Sequence, residues 1–147
     1  MSMKYTKPIT ILVVEDCHSD IELITKVFNR TSISHKLQVV RDGAMATAYL
    51  NQEGDYSDAL RPNVILLDLY LPKKTGLQVL AEIKSNPQLC RIPVIVLTSS
   101  DLPQDVLSCY RMNANSFIKK PKNIEDFKSI IAIIEDFWLN YVILPTN

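Results

Sequence analysis

The chain has 147 residues, the usual size of one domain, so we expect a single domain over residues 1–147. A hydrophobic fraction of 47% beside 22% charged residues excludes a disordered or fibrous protein. The 16 basic residues balance the 16 acidic ones, which excludes a general attraction to nucleic acid or to an anionic membrane. No signal peptide or apolar stretch of ~20 residues is present, so we expect a cytoplasmic protein.

Five short apolar runs, rich in β-branched and aliphatic residues, predict β-strands. In chain order they are Ile9–Val14, 37–40, Val64–Leu67, 94–97 and 116–118. These runs do not alternate with polar residues, which is typical of a sheet that is covered on both faces.

Segments with helical periodicity separate these runs. The first helix has its apolar residues on one face, and Ser19 followed by Glu22 predicts a capping box at its start. The second helix is predicted to begin behind Asp42, and the third begins with the capping pair Thr75 and Gln78. Five alternations of strand and helix predict an α/β fold: a doubly wound, five-stranded parallel sheet with helices on both faces.

The fourth helix is predicted after Asp101 and Pro103, which both favour a first turn. The polar, turn-rich stretch 51–63 predicts an enlarged loop. The fifth helix is the longest, and its apolar surface is too broad for one core contact: Ile124, Phe127, Ile131, Ile134 and Trp138, extended by Ile130, Ile133, Phe137 and Tyr141. The core is expected over about 8–139, followed by an apolar tail, 140–147.

Chemically active side chains follow four of the five predicted strands. They are Glu15 and Asp16, Asp68, Thr98, and Lys120. Ligands of such sheets bind at the carboxyl ends of the strands. Three clustered carboxylates repel one another unless a hard cation such as Mg²⁺ neutralises them. The ammonium and hydroxyl groups then remain to hold a phosphoryl group, and Asp68 is the natural nucleophile for an acyl phosphate.

Each of these residues alone is explained as well by a turn or a helix cap, but the combination is specific. The motifs ILVVEDCHSD, VILLDLYLPKKTG, VIVLTSS and SFIKKP resemble the receiver domain of two-component response regulators, which has a flavodoxin-like fold. The loop NQEGDYSDALRPN, the run LPKKTGLQVLAEIKS and the ending IEDFWLNYVILP are most similar to the single-domain regulators that partner cyanobacterial phytochromes.

The resemblance implies that Asp68 is the phosphoacceptor. It implies a Mg²⁺ ion held by Asp16 and Asp68, by Glu15 directly or through water, and by the carbonyl of Tyr70. Lys120 would pair with the phosphoryl group.

The resemblance also implies a conformational switch. Thr98 would move to hydrogen-bond the phosphoryl group, and Phe117, at the family's switch aromatic position, would turn into the space that Thr98 leaves. A cis peptide bond before Pro121, as in many receivers, would help to position Lys120.

The implied partner is a sensor histidine kinase, in this subtype a phytochrome. The exposed apolar surface predicts a homodimer with Phe137, Trp138 and Tyr141 in its interface; alternatively, the tail folds back on its own domain. No nucleic-acid or membrane partner is expected.

Two other functions compete with the receiver interpretation. An aspartyl-phosphate phosphatase also uses an aspartate after a parallel strand, but its second acid, two residues on, is here Tyr70. A receiver-like scaffold that binds partners without being phosphorylated stays open as well. We expect a protein that accepts phosphate and passes its signal by surface contact, and not a dedicated enzyme.

Overall fold

The computed structural model describes residue 5 and residues 7–146. Among these residues, a five-stranded parallel sheet has the order β2-β1-β3-β4-β5. The strands are β1 (Ile9–Val14), β2 (His35–Val40), β3 (Val64–Leu67), β4 (Val94–Thr98) and β5 (Ser116–Lys119). The helices are α1 (His18–Phe28), α2 (Gly43–Leu50), α3 (Gly76–Ser85), α4 (Pro103–Arg111) and α5 (Ile124–Glu135). The doubly wound α/β prediction is confirmed.

The core lies in two layers, one on each face of the sheet. Apolar residues of α2 and α3, with Cys109 of α4, pack on one face, and those of α1 and α5 pack on the other. The central strands β1, β3 and β4 are buried throughout, as their continuous apolar runs predict. The prediction is wrong for most of β2, whose residues 35–39 alternate between half-buried and exposed before the buried Val40. A strand at the sheet edge has one partner strand and fewer helices over it.

The predicted helix starts are right at two helices and wrong at a third. Asp42 accepts a hydrogen bond from the backbone N–H of Met45, and Thr75 forms a full capping box with Gln78. The capping box predicted at α1 is wrong, because this helix begins at His18 and its N-cap makes no side-chain hydrogen bond. Glu22 instead pairs with His18 across 3.0 Å.

The start of α4 and the predicted loop need smaller corrections. Pro103 is the first residue of α4, but Asp101 lies outside the helix. The Asp101 carboxylate instead accepts a hydrogen bond from Lys119 at 2.8 Å. The stretch 51–63 contains a single 3₁₀ turn, Gly54–Tyr56, between α2 and β3. It is therefore a loop with little regular structure, as predicted.

The C-terminal end of the described chain folds back on the domain. After α5 the chain continues as a π-helical segment, Asp136–Tyr141, and both Leu139 and Leu144 are buried. The Tyr5 hydroxyl accepts a hydrogen bond from the Leu144 backbone N–H at 3.0 Å. The alternative in which the tail packs on its own domain is therefore right for these residues.

One side of this region stays exposed. Ile133, Phe137, Tyr141 and Ile143 are exposed, whereas Trp138 is half-buried against the α1–α5 core layer. Ile124, in the first turn of α5, is 61% exposed, so the predicted stripe is not buried along its whole length. Among the helices that the structure describes, none has the length and apolar character to cross a membrane.

Candidate functional site

The sheet brings the predicted site residues together at the carboxyl ends of its central strands. Glu15 and Asp16 follow β1, and Asp68 follows β3 on the neighbouring strand. The Asp68 backbone N–H bonds to the Val14 carbonyl at 3.0 Å, which aligns the two strand ends. Lys120, just beyond β5, donates a hydrogen bond from its backbone N–H to the Thr98 carbonyl oxygen at 2.7 Å.

The ammonium group of Lys120 contacts three carboxylates. Its Nζ lies 2.5 Å from Glu15 Oε2, 3.3 Å from Asp68 Oδ2 and 3.0 Å from Asp20 Oδ2. Glu15, Asp68 and Lys120 are 2%, 8% and 9% exposed. The carboxylates outnumber the ammonium, so the pocket has an excess of negative charge.

Burial and charge shift two pKa values in this pocket. Burial raises the pKa of Glu15 to about 7, and the nearby charge of Asp68 adds to the increase, whereas the hydrogen bond from Lys120 opposes it. Burial alone would lower the pKa of Lys120, but its hydrogen bond to Glu15 and the charge of Asp68 outweigh burial and raise it. Lys120 therefore stays positively charged at neutral pH.

Three carboxylates have the arrangement of a cation site. Oxygen atoms of Glu15, Asp16 and Asp68 all lie within 4.8 Å of one another. Asp68 Oδ1 also accepts a hydrogen bond from the Leu69 backbone N–H at 2.7 Å. An all-oxygen, negatively charged donor set fits a hard divalent cation. The predicted ligation by the Tyr70 carbonyl stays a prediction.

The predicted switch residues lie beside this pocket. Thr98 is fully buried, and its Oγ1 has no hydrogen-bond partner among the described residues, an uncommon state for a buried hydroxyl. Phe117, on the neighbouring β5, is half-buried against the α2–α3 core layer, and its backbone N–H donates to the Tyr110 hydroxyl. The expected cis bond before Pro121 is wrong, because every described peptide bond is trans; Lys120 is positioned by its carboxylate partners instead.

Sequence reasoning missed two residues of the site. Asp20 lies in the first turn of α1, four residues after Asp16, and its place at the helix start behind the acidic pair was the available signal for its contact with Lys120. Gly76, the first residue of α3, packs directly on the backbone that carries Asp68. A Cβ atom at position 76 would lie 2.1 Å from the Asp68 carbonyl oxygen and 2.6 Å from Leu69 Cα.

We expect Gly76→Ala to lower the free energy of unfolding by about 2 kcal/mol, a typical cost of overpacking against rigid backbone. Urea denaturation measures this change. Gly54→Ala is the matched control, because a Cβ there meets nothing within 4 Å and only its φ of 56° is unfavourable. Equal stability of Gly76→Ala and the unmodified protein would show that the loop after Asp68 tolerates displacement.

Comparison with known proteins identifies the family. The sequence profile of the response regulator receiver domain matches residues 11–132. The chain belongs to the response regulator receiver family. Response regulator Rcp1 from Synechocystis sp. is 47% identical to this receiver over 145 residues, which are 99% of both chains.

Solved receiver structures agree with this assignment. The Mn²⁺-bound form of Rcp1 superposes with a TM-score of 0.93 at 47% identity and covers 95% of this chain and 100% of its own. The phosphorylated cyanobacterial phytochrome response regulator RcpA gives the same TM-score and coverage at 46% identity. The predicted receiver fold and the similarity to phytochrome response regulators are confirmed. Receiver domains bind a divalent metal in their acidic pocket, and the carboxylates described above fit that property.

Proposed function

We propose that this receiver is a phosphoacceptor response regulator that takes a phosphoryl group on Asp68 from a sensor histidine kinase. The main support is the contact of one buried ammonium, Lys120 Nζ, with both Asp68 and Glu15. If these residues served only in turns or helix caps, no contact between the Lys120 ammonium and the two carboxylates would be needed. The existence of a phosphorylated relative, RcpA, agrees with the proposal.

In the proposed reaction, an Asp68 carboxylate oxygen attacks the phosphorus atom of a kinase phosphohistidine. The new P–O bond forms as the P–N bond breaks, and the imidazole leaves with the electron pair and takes up a proton. The Lys120 ammonium, 3.3 Å from Asp68, is available to bind a phosphoryl oxygen. Its positive charge offsets the negative charge that the reaction concentrates in the pocket.

We propose Mg²⁺ as the metal of this site. Glu15, Asp16, Asp68 and the Tyr70 carbonyl would hold it, and the bound ion supplies positive charge to the phosphoryl oxygens. Without the charge of the ion, the Lys120 ammonium would have to offset the charge of both the carboxylates and the incoming phosphoryl group.

The proposed response begins at Thr98. An aspartyl phosphate adds roughly −1.5 to −2 charges and new acceptor oxygens beside a buried hydroxyl that lacks a partner. Thr98 moves toward these oxygens, and Phe117 turns into the vacated space. These two movements change the surface that extends from β4 to α5. The phosphorylation signal is thereby passed on by surface contact. We propose a cytoplasmic signalling domain with its core at about residues 8–139, without dedicated enzyme activity and without a nucleic-acid or membrane partner.

The proposed phosphodonor is a phytochrome kinase, because the relatives include phytochrome response regulators. The test is transfer of ³²P from an autophosphorylated phytochrome kinase to the purified receiver, with Mg²⁺ and with EDTA. We expect Mg²⁺-dependent label that hydroxylamine releases, as it does from an acyl phosphate. No label from any phosphodonor would favour the alternative, a receiver-like scaffold without phosphorylation.

We also propose that the protein is a homodimer. Phe137 and Tyr141 are exposed and available to a second copy, whereas Trp138 contributes its remaining exposed edge. Phe137→Glu is expected to convert the dimer to a monomer in sedimentation across a concentration series, because it introduces a charge into an apolar interface. Leu60→Glu, at an exposed apolar residue of the 51–63 loop, is the control. A monomer mass for the unmodified protein at every concentration would refute the dimer.

Tyr70 is expected to lengthen the lifetime of the aspartyl phosphate. Its side chain lies two residues after Asp68, where a phenol ring restricts the approach of water. We expect Tyr70→Asn to hydrolyse the aspartyl phosphate several times faster, and loss of label after removal of the kinase measures the rate. Equal rates in the two proteins would contradict a shielding role.

A further inference from the structure

Three side chains outside the acidic pocket form a connected group, which we call the Asp105 clamp: Tyr70, Ser100 and Asp105. The Tyr70 hydroxyl donates to Asp105 Oδ2 at 2.5 Å, and the Ser100 hydroxyl donates to the same oxygen at 2.5 Å. The Ser100 Oγ also accepts a hydrogen bond from the Leu102 backbone N–H at 3.3 Å. One carboxylate oxygen therefore holds two hydroxyl groups from different loops.

The clamp joins the two loops that carry the reacting groups. Tyr70 follows Asp68 by two residues in the loop after β3, and Ser100 follows Thr98 by two residues in the loop after β4. Asp105 lies in the first turn of α4. Ser100 is buried, but Tyr70 is 56% exposed, so packing restrains its ring little and the hydrogen bond to Asp105 Oδ2 holds its hydroxyl group.

The shared oxygen makes the two loops dependent on each other. Ser100 lies two residues after Thr98 and shares its acceptor atom with Tyr70, so a shift of Thr98 toward a phosphoryl group would reach Tyr70 through Asp105. Removal of the Asp105 carboxylate releases both hydroxyl groups at once. The geometry therefore makes Asp105 responsible for the position of Tyr70, although Asp105 does not contact Asp68 in any hydrogen bond or ion pair of the described structure.

We propose that Asp105 is a positioning residue that holds the Tyr70 phenol over the phosphorylation site and thereby slows hydrolysis of the aspartyl phosphate. The inference rests on the proposed phosphorylation of Asp68. In hydrolysis, a water oxygen attacks phosphorus, the P–O bond to Asp68 breaks, and the carboxylate and inorganic phosphate are released. A phenol fixed by Asp105 obstructs the water, whereas a freely rotating phenol does not.

The test is a double-mutant cycle on the hydrolysis rate. The receiver is labelled with ³²P-acetyl phosphate, the donor is removed, and loss of label is followed for Tyr70→Phe, Asp105→Ala and the double variant. Each single variant is expected to hydrolyse about fivefold faster, the ratio that loss of one ordinary hydrogen bond implies. The double variant is expected to be no faster than either single variant, because both remove the same contact.

Two further variants separate positioning from a general structural role. Asp105→Asn keeps an oxygen that can accept both hydroxyl bonds and is expected to restore a rate within twofold of the unmodified protein. Asp126→Ala removes an exposed acid from the first turn of α5, the position that Asp105 occupies in α4, and should leave the rate unchanged.

Each outcome decides the proposal. Multiplicative effects of Tyr70→Phe and Asp105→Ala, or an unchanged rate in Asp105→Ala, would overturn the clamp while leaving Asp68 phosphorylation intact. Hydrolysis in Asp105→Asn as fast as in Asp105→Ala would overturn the hydrogen-bond mechanism. If the unmodified receiver takes no label from acetyl phosphate or from the kinase, the proposed function and the clamp both fail.

Discussion

Asp68→Ala is expected to reduce ³²P transfer from the kinase to background, a loss of at least about a hundredfold, because it removes the nucleophile. The remaining acids of the pocket cannot replace it readily. Glu15 is almost fully buried and bonded to Lys120, and Asp16 is exposed on the neighbouring strand end. The measurement is label incorporated per mole of protein after incubation with the phosphorylated kinase.

The Asp68→Ala variant should still fold. Lys120 keeps Glu15 and Asp20 as partners, and removal of one of several neighbouring carboxylates relieves like-charge repulsion. Circular dichroism melting is expected to give a midpoint no lower than that of the unmodified protein. Asp58→Ala, at an exposed acid in the 51–63 loop, is the control for labelling. Label on Asp68→Ala at the unmodified level would move the phosphoacceptor to another residue.

Lys120→Met is expected to lower the free energy of unfolding by about 3 kcal/mol in EDTA, since removal of one partner of a buried ion pair leaves the other charge uncompensated. Methionine retains much of the aliphatic volume, so the change isolates the ammonium. Glu15 and Asp68 would then face each other with little exposure to solvent. Urea titration at neutral pH, where Lys120 is charged in the unmodified protein, measures the loss.

Mg²⁺ is expected to recover more stability in Lys120→Met than in the unmodified protein. A cation that binds only the folded state stabilises it by an amount that grows with the logarithm of its affinity, and the variant offers the same carboxylates without a competing ammonium. Lys119→Met is the matched control, because Lys119 is exposed and pairs with exposed Asp101. Its cost should stay below about 1 kcal/mol. Equal stability of Lys120→Met and the unmodified protein in EDTA would contradict a stabilising role of the buried ammonium.

The sequence alone was sufficient to predict most of the fold. Continuous apolar runs identified β1, β3 and β4, because strands buried on both faces contain few polar residues. The capping groups Asp42 and Thr75 located two helix starts, because their hydrogen bonds join residues three apart in the chain. Ser19 had an equally good local pattern for an N-cap, but the N-cap of α1 is Cys17, two residues earlier. Local patterns cannot decide between two neighbouring starts.

The sequence also identified Glu15, Asp16, Asp68 and Lys120 of the acidic pocket, but not Asp20, because a parallel sheet brings the carboxyl ends of its strands to one edge. It did not identify their partners. Lys120 is 105 residues from Glu15 and 52 from Asp68, and its additional contact with Asp20 depends on the angle at which α1 leaves β1. The Asp105 clamp depends in the same way on how α4 packs beside the loop after β3.

The tail shows most clearly what only tertiary structure decides. The apolar residues after α5 predicted either a dimer surface or a segment folded back on the domain. The structure buries Leu139 and Leu144 while leaving Phe137 and Tyr141 exposed. Periodicity could not separate these residues, because the π-helical turn at Asp136–Tyr141 rotates each side chain away from its place on an ideal α-helix. The sequence by itself determined which reactive side chain follows each strand, because these residues are adjacent in the chain. Only packing decided which of those side chains touch, because their contacts join residues that are far apart in the chain.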